Sequence, residues 1–286
     1  MATMRDIKRR KGSIQSTQQI TKAMKLVSTV KLQHARADAE RSKTYFDCMY
    51  ATVNDILSRV GEMDHKYLVK GTAAKKAVIV VTSNRGLAGG YNSNIVKLVT
   101  RREEFHKEEL QIFAVGNKGR EALARNGYEI AKDLSDIVEN PKFSDAMRLS
   151  NRLLELYAAG KISEIYLAYT SFKNTVSHEP TMLRLLPVDP KLYEEEGRGG
   201  EALMNFEPAD ETALDMIIPK YITSLIYGAL KEAVASENGA RMQAMDNATS
   251  NAEEMIEDLT LKYNRARQGS ITQELTEIIA GAEAIS

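Results

Sequence analysis

The chain has 286 residues, 43% of them hydrophobic, with 39 Lys and Arg balanced by 39 Asp and Glu, and one cysteine, Cys48. A lone cysteine excludes an intrachain disulfide, and no apolar run approaches the ~20 residues of a membrane span. One or two domains are expected, in the cytosol or held at a membrane only through partners, because the basic opening MATMRDIKRRKG lacks the apolar block of a secretory signal.

From Met1 to Leu57 there is no proline and a single glycine, Gly12. The pattern predicts one helix over residues 1–58, about 85 Å long at the α-helical rise. Its apolar spacing runs through Met4, Ile7, Ile14, Ile20, Met24, Val27 and Val30, and Lys11, Thr17, Gln18 and Thr21 interrupt it. Polar groups in a helix–helix seam lower stability but fix register. They also suit a surface that slides against another. Residues 1–31 carry eight Lys or Arg (Arg5, Lys8, Arg9, Arg10, Lys11, Lys22, Lys25, Lys31) against one acid, Asp6. The plain reading is a solvated face; the sharper one is a docking surface for an acidic partner or nucleic acid. The first aromatic is Tyr45, so the stacking residues of a nucleic-acid arm are missing there.

The period then changes. Ala77–Val81 is a continuous apolar run, as a buried parallel strand requires. A Gly-rich turn follows over Thr82–Tyr91, then a helix over Asn92–Lys107, a strand over Gln111–Val115 and a helix over Asn117–Asn126 closed by Gly127. Ser144 is the expected cap of a helix ending at Gly160. Ile162–Phe172 and Thr181–Val188 read as the last strands, a hairpin at the sheet edge. Alternating strands and helices predict a small doubly wound, Rossmann-like α/β domain over residues 74–189, followed by a loop over 190–208.

A second proline-free stretch, Lys220–Ser286, predicts a C-terminal helix over 209–286, capped by Asp210 or Thr212. After Leu214, Ile217, Ile218, Tyr221, Ile222, Leu225 and Ile226, a three-four rhythm continues through Met245, Ala248, Ala252, Met255, Leu259, Tyr263 and Ala266. Two helices of this length overhang any small core, so the expected fold class is α/β with a long antiparallel coiled coil of the N- and C-terminal helices. Ile271–Ser286 has no evident counterpart in the shorter N-terminal helix. Its apolar Leu275, Ile278 and Ile279 call for a second protein to receive them.

Chemistry-bearing motifs are sparse. The segment Ser83-Asn84-Arg85-Gly86-Leu87-Ala88-Gly89-Gly90-Tyr91-Asn92 lies between a strand and a helix, where a dinucleotide fold places its phosphate loop. Its glycine spacing fits neither phosphate-loop fingerprint, and no acid stands at the ribose position. A tight structural turn is the simpler reading. There is no G-x-S-x-G, no carboxylate pair set for acid–base work and no metal triad, and the four histidines are scattered. No catalytic residue, cofactor or metal is expected.

Three runs carry a resemblance. Ile20-Thr21-Lys22-Ala23-Met24-Lys25-Leu26-Val27, the turn Arg85 to Asn92, and Tyr263-Asn264-Arg265-Ala266-Arg267-Gln268-Gly269-Ser270-Ile271-Thr272-Gln273-Glu274-Leu275-Thr276-Glu277-Ile278-Ile279-Ala280-Gly281-Ala282 closely resemble the gamma subunit family of the rotary F-type ATP synthases. The likeness covers the whole chain. A bacterial form is expected, since no transit peptide is evident and Cys48 stands alone, without the dithiol insertion of chloroplast versions.

The resemblance implies a non-catalytic, central-stalk rotor. The two terminal helices would form a bent shaft inside a ring of three alpha and three beta subunits. The α/β domain would sit with the epsilon subunit on the membrane-embedded c-ring, peripheral to the cytoplasmic side of the cell membrane. Proton flow would turn the c-ring and the shaft, and the beta sites would make and release ATP. Residue by residue, it implies that Met24 faces an acidic lever segment of beta, that Arg241 makes a polar contact with beta, and that Gln268, Thr272 and Glu274 form an upper contact cluster with the ring. The cluster Lys8, Arg9, Arg10 and Lys11 is added from its charge alone, as a positive surface facing acidic stator groups. Two other readings stand beside it. One is a Rossmann-like nucleotide-binding protein with coiled-coil arms; the other is a nucleic-acid binder using its basic arm.

Overall fold

A computed structural model of the chain describes residues 3–60, 65–175, 177–188 and 210–283. The chain divides into two compact units, Met1–Ser28 with Met242–Ser286, and Thr29–Arg241. The two long helices, α1 (Met4–Val60) and α5 (Asp210–Glu283), contribute to both.

The larger unit is built on a sheet. The apolar run becomes β1 (Lys76–Val81), followed by α2 (Tyr91–Thr100), β2 (Leu110–Val115), α3 (Asn117–Arg125), β3 (Glu129–Asp133), α4 (Phe143–Ala158), β4 (Glu164–Phe172) and β5 (His178–Leu186). Among the described residues the strand order is β3-β2-β1-β4-β5, parallel except for the antiparallel β4–β5 hairpin. Strand residues alternate between faces. Ala77, Ile79 and Val81 join a core with Leu149 and Leu153 of α4 and Ile218, Ile222 and Ile226 of α5. Val78 and Val80 pack under Ile95 and Val99 of α2 and Leu123 of α3. Both faces of β1 are thereby covered, which is why it is apolar from Ala77 to Val81.

Several expectations are corrected. The second helix stops at Thr100, not Lys107. The chain must reverse there so that Phe105 can bury itself edge-on to Tyr166, 5.0 Å between centroids. Asp145, not Ser144, closes the start of α4 by accepting the Lys142 N–H at 3.1 Å. The strand β3 was not expected: Glu129-Ile130-Ala131-Lys132-Asp133 is an edge strand paired on one side only, and its mostly exposed, charged residues carry no apolar signal. Asp210 and Thr212 already lie inside α5. The loop expected over 190–208 lies outside the described residues.

One close approach fixes the crossing from β2 into α3. Gly116 has φ +112°, and a Cβ there would stand 2.1 Å from the Thr82 carbonyl oxygen, so no other residue fits. The Gly119 N–H donates to Thr82 Oγ1 at 2.9 Å.

The smaller unit is an antiparallel helix pair. On α1 the inward positions are Met4, Ile7, Lys11, Ile14, Gln18, Thr21, Lys25 and Ser28, spaced alternately by three and four. On α5 they are Met242, Met245, Thr249, Ala252, Ile256, Leu259, Tyr263, Ala266 and Ser270, with the same alternation. This is a heptad seam. Its register is read from three cross-pairs: Gln18 Nε2 donates to Glu253 Oε1 at 3.0 Å, the Thr21 and Thr249 hydroxyls meet at 2.8 Å, and Lys25 pairs with Asp246. The α5 half of the expected pattern holds except at Ala248, where the buried seam position is Thr249, and at Met255, which is exposed. The α1 half holds at Met4, Ile7 and Ile14 and is corrected beyond them. Ile20, Val27 and Val30 are 60%, 57% and 51% exposed, while the polar Lys11, Gln18 and Thr21 occupy inward positions.

Candidate functional site

The Gly-rich turn after β1 is the first place to look for chemistry, because the order β3-β2-β1-β4 puts a topological switch beside it. Its polar groups are already used. The Ser83 N–H donates to Asn92 Oδ1 at 2.9 Å, and Asn92 Nδ2 donates to Ser83 Oγ at 2.8 Å. Asn84 Oδ1 accepts the Asn117 N–H at 3.0 Å, and Thr82 Oγ1 accepts that of Gly119. Those are N–H groups at the start of α3, the donors that a bound phosphate requires. The chain itself also lies over the carboxyl ends of the neighbouring strands. Ser236 of α5 donates to the Thr170 carbonyl at 3.1 Å, Glu232 accepts the Phe172 N–H at 3.3 Å, and Tyr91 Oη donates to the Ala233 carbonyl at 3.2 Å. The crevice in which such folds hold a nucleotide is occupied by α5.

Arg241 lies at the same turn. Its guanidinium donates to Glu237 at 2.8 Å and reaches the Gly86 carbonyl at 3.4 Å. The two side chains are only 12% and 15% exposed, so the charged fork faces inward and leaves little surface for a partner. Burial raises the Glu237 carboxyl above its ordinary range, against the pull of Arg241. Burial also pushes the Tyr91 phenol well up, keeping it a neutral donor.

The smaller unit presents the remaining sequence-derived residues. Lys8, Arg9 and Arg10 are exposed, and Lys11 is half-buried at a seam position. Arg9 has one partner among the described residues, Asp6 at 3.6 Å, in a solvent-exposed pair. Met24 is half-buried beside the seam. Toward the end of α5, Gln268, Thr272 and Glu274 are all exposed. Thr272 Oγ1 donates back to the Gln268 carbonyl at 2.9 Å, and Ser270 Oγ reaches Glu274 at 3.4 Å.

From Ile271 to Ala282 every α5 residue is exposed. Ile271, Leu275, Ile278 and Ile279 recur at helical spacing with 47%, 55%, 67% and 60% of their surface in solvent. A bare apolar stripe of this kind marks a contact surface. Ile20, Leu26 and Val27 form a second exposed apolar group, on α1. Sequence reasoning found the α5 stripe and missed the α1 group, assigning Ile20 and Val27 to the seam. Among the described residues no helix is long and apolar enough to cross a membrane.

Comparison with known proteins places these features in a family. A family model described as ATP synthase matches residues 3–285. The ATP synthase gamma chain of Lachnoclostridium phytofermentans is 64% identical, over all of this chain and all of that one. Among solved structures, the mitochondrial ATP synthase central stalk and c-ring of Tetrahymena thermophila contains a chain 26% identical, with TM-score 0.60, covering 80% of this chain and 99% of that one. A chain from the Euglena gracilis mitochondrial ATP synthase shares the fold over 99% of this chain and 94% of its own, at TM-score 0.69 and 20% identity.

Proposed function

The chain belongs to the ATP synthase gamma chain family, and from that premise we propose that it is the central-stalk rotor of a bacterial F1Fo ATP synthase, coupling ion flow and c-ring rotation to ATP synthesis or hydrolysis. Its partners are the alpha and beta subunits of the ring, the epsilon subunit and the c-ring. It supplies no catalytic group. It is held at the cytoplasmic side of the cell membrane through the membrane sector. The observation that carries this reading is the bare apolar end of α5 next to a polar, heptad-spaced seam. An exposed apolar stripe of that kind marks a surface that other chains cover.

The mechanism follows from differential contact. Chemically identical beta subunits differ only if something breaks their symmetry. An antiparallel helix pair is itself asymmetric: along α1 the exposed surface changes from basic at Lys8, Arg9 and Arg10 to apolar at Ile20 and Val27, and the end of α5 carries Gln268, Thr272 and Glu274. A body that binds one conformation of beta better than another shifts that subunit by the difference in binding, and no further. Inverting a 1:99 population takes ~5.5 kcal/mol. Several weak contacts, at charged, apolar and polar positions spread along the pair, together supply a difference of that order. Turning the pair hands the contacts to the next subunit.

Met24, Gln268, Thr272, Glu274 and the cluster Lys8 to Lys11 are the proposed contact residues; Arg241, whose guanidinium faces inward, is proposed to act at the interface through the residues it holds. Affinity purification of the tagged chain from its own cell tests the assignment. The expected result is co-purification of alpha, beta and epsilon chains, alpha and beta in threefold excess. Recovery of the chain alone, or with nucleic acid that dissociates steeply with salt, contradicts it.

A further inference from the structure

Arg241 and Glu237 sit one helical turn apart on α5, yet their shared task is directed at another element. The guanidinium bonds Glu237 at 2.8 Å and reaches the Gly86 carbonyl at 3.4 Å, inside the Gly-rich turn. A second tie lies alongside, where the buried Tyr91 hydroxyl donates to the Ala233 carbonyl at 3.2 Å. Both residues of the ion pair are nearly buried, so their charges are satisfied by each other and by the turn rather than by water. Lys31 of α1 and Glu139 are the other charged groups that bear on Glu237.

The turn so held is an uncommon one. Leu87 has φ +63°, a conformation that costs energy in any residue with a side chain, and it is 63% exposed. Arg85 beside it is 81% exposed, with a long contact to Glu139 at 3.9 Å. Three glycines, Gly86, Gly89 and Gly90, would let such a segment sample many conformations if nothing tied it down.

We propose that the Glu237–Arg241 pair is a latch, with both side chains acting as positioning residues: it clamps the Gly86 carbonyl to α5 so that the turn carrying Arg85 and Leu87 moves with the helix as one body. The consequence for coupling rests on the rotor reading above. In a rotor, a surface loop transmits torque or reports angle only if it does not lag behind the helix that turns it. Arg241 then serves coupling from inside the chain, through the turn, and makes no direct bond to a ring subunit.

The test has two arms. In the first, the full chain carries Arg85→Cys in a Cys48→Ser background, with a spin label on the new thiol. The latch predicts a slow label in the parent chain, a several-fold faster one in Arg241→Met, and return to slow motion in Arg241→Lys, which keeps a cation over Glu237. An unchanged label in Arg241→Met overturns the latch. This arm needs no partner, so it stands even if the rotor reading fails. In the second, the same substitutions without the label are placed in the assembled complex, and ion pumping per ATP hydrolysed is measured. Arg241→Met is expected to lower that ratio several-fold and Arg241→Lys to restore it. If Arg241→Lys holds the turn but loses coupling as fully as Arg241→Met, the guanidinium acts directly on a partner and the positioning role is wrong. Unchanged coupling with a freed turn also overturns it.

Discussion

His178 illustrates how much a single side chain constrains this fold. Its ring lies under α5, with both nitrogens closed off from solvent and without a hydrogen-bond partner among the described residues. It fits because residue 239 is glycine: a Cβ there would stand 2.6 Å from His178 Cε1. Gly239→Ala is therefore expected to destabilise the chain by about 1–3 kcal/mol through overpacking, despite alanine's better helix propensity. His178→Ala in the same chain should recover much of the loss, and a double-mutant cycle of thermal midpoints measures that coupling. Burial holds the His178 pKa below its ordinary 6.5. Above pH 6.5 the ring is neutral in both folded and unfolded chains, and the contact keeps its full stability. Below that value the unfolded chain takes up the proton first, so stability falls with pH until the folded pKa is reached. A melting-temperature profile from pH 8 to pH 5 should be flatter for His178→Phe than for the native chain. Identical slopes would show that His178 does not titrate as its burial implies.

At the scale of elements, the seam between α1 and α5 separates what sequence pattern conveys from what it hides. The helices, the apolar strand β1 and the closing hairpin were legible because burial on both faces, or on one helical stripe, writes a period into the residues. The α1 seam was not. Its inward positions hold Lys11, Gln18, Thr21, Lys25 and Ser28, whereas Ile20, Leu26 and Val27 face solvent. Counting apolar residues therefore finds the seam at Met4, Ile7 and Ile14 and leaves it from Ile20 on. The signal that could have found it is the strict three-four spacing, independent of polarity. Edge strand β3 was hidden for a related reason, since a strand paired on one side needs no apolar face. Of the proposed contact residues, the exposed end of α5 was legible from its lack of a counterpart, and the inward turn of Arg241 was not, because nothing in the spacing shows that Glu237 and Gly86 share it.

Two predictions belong to this seam. The Thr21 and Thr249 hydroxyls each also donate to, or lie within reach of, their own helix, at the Gln18 and Met245 carbonyls. Replacing both by valine is expected to be nearly neutral, while a single Thr21→Val change should cost up to about 1 kcal/mol by leaving its partner less well matched. Chemical denaturation of the three variants checks the order. Met24→Lys places a further cation at a half-buried position on α1. On the rotor reading it should impair coupling between ion transport and ATP turnover more than assembly, by over-stabilising one rotational position against an acidic partner. Unchanged coupling in the purified complex would remove Met24 from the contact set.

The whole molecule comprises a sheet-based unit with its own core and a helix pair whose α5 end leaves an apolar stripe exposed. Deleting the residues after Ser270 should leave the circular dichroism and melting of the sheet-based unit intact while weakening assembly or coupling; a collapse of that unit would show that the core has been misassigned. The most direct measurement uses the exposed thiol of Cys48, the only cysteine in the sequence. A probe attached there, in a complex immobilised through its alpha and beta subunits and supplied with ATP, is expected to revolve in one direction in equal steps, one for each beta site. A probe that stays fixed while the same complex hydrolyses ATP would mean that this chain does not turn to set its neighbours in sequence.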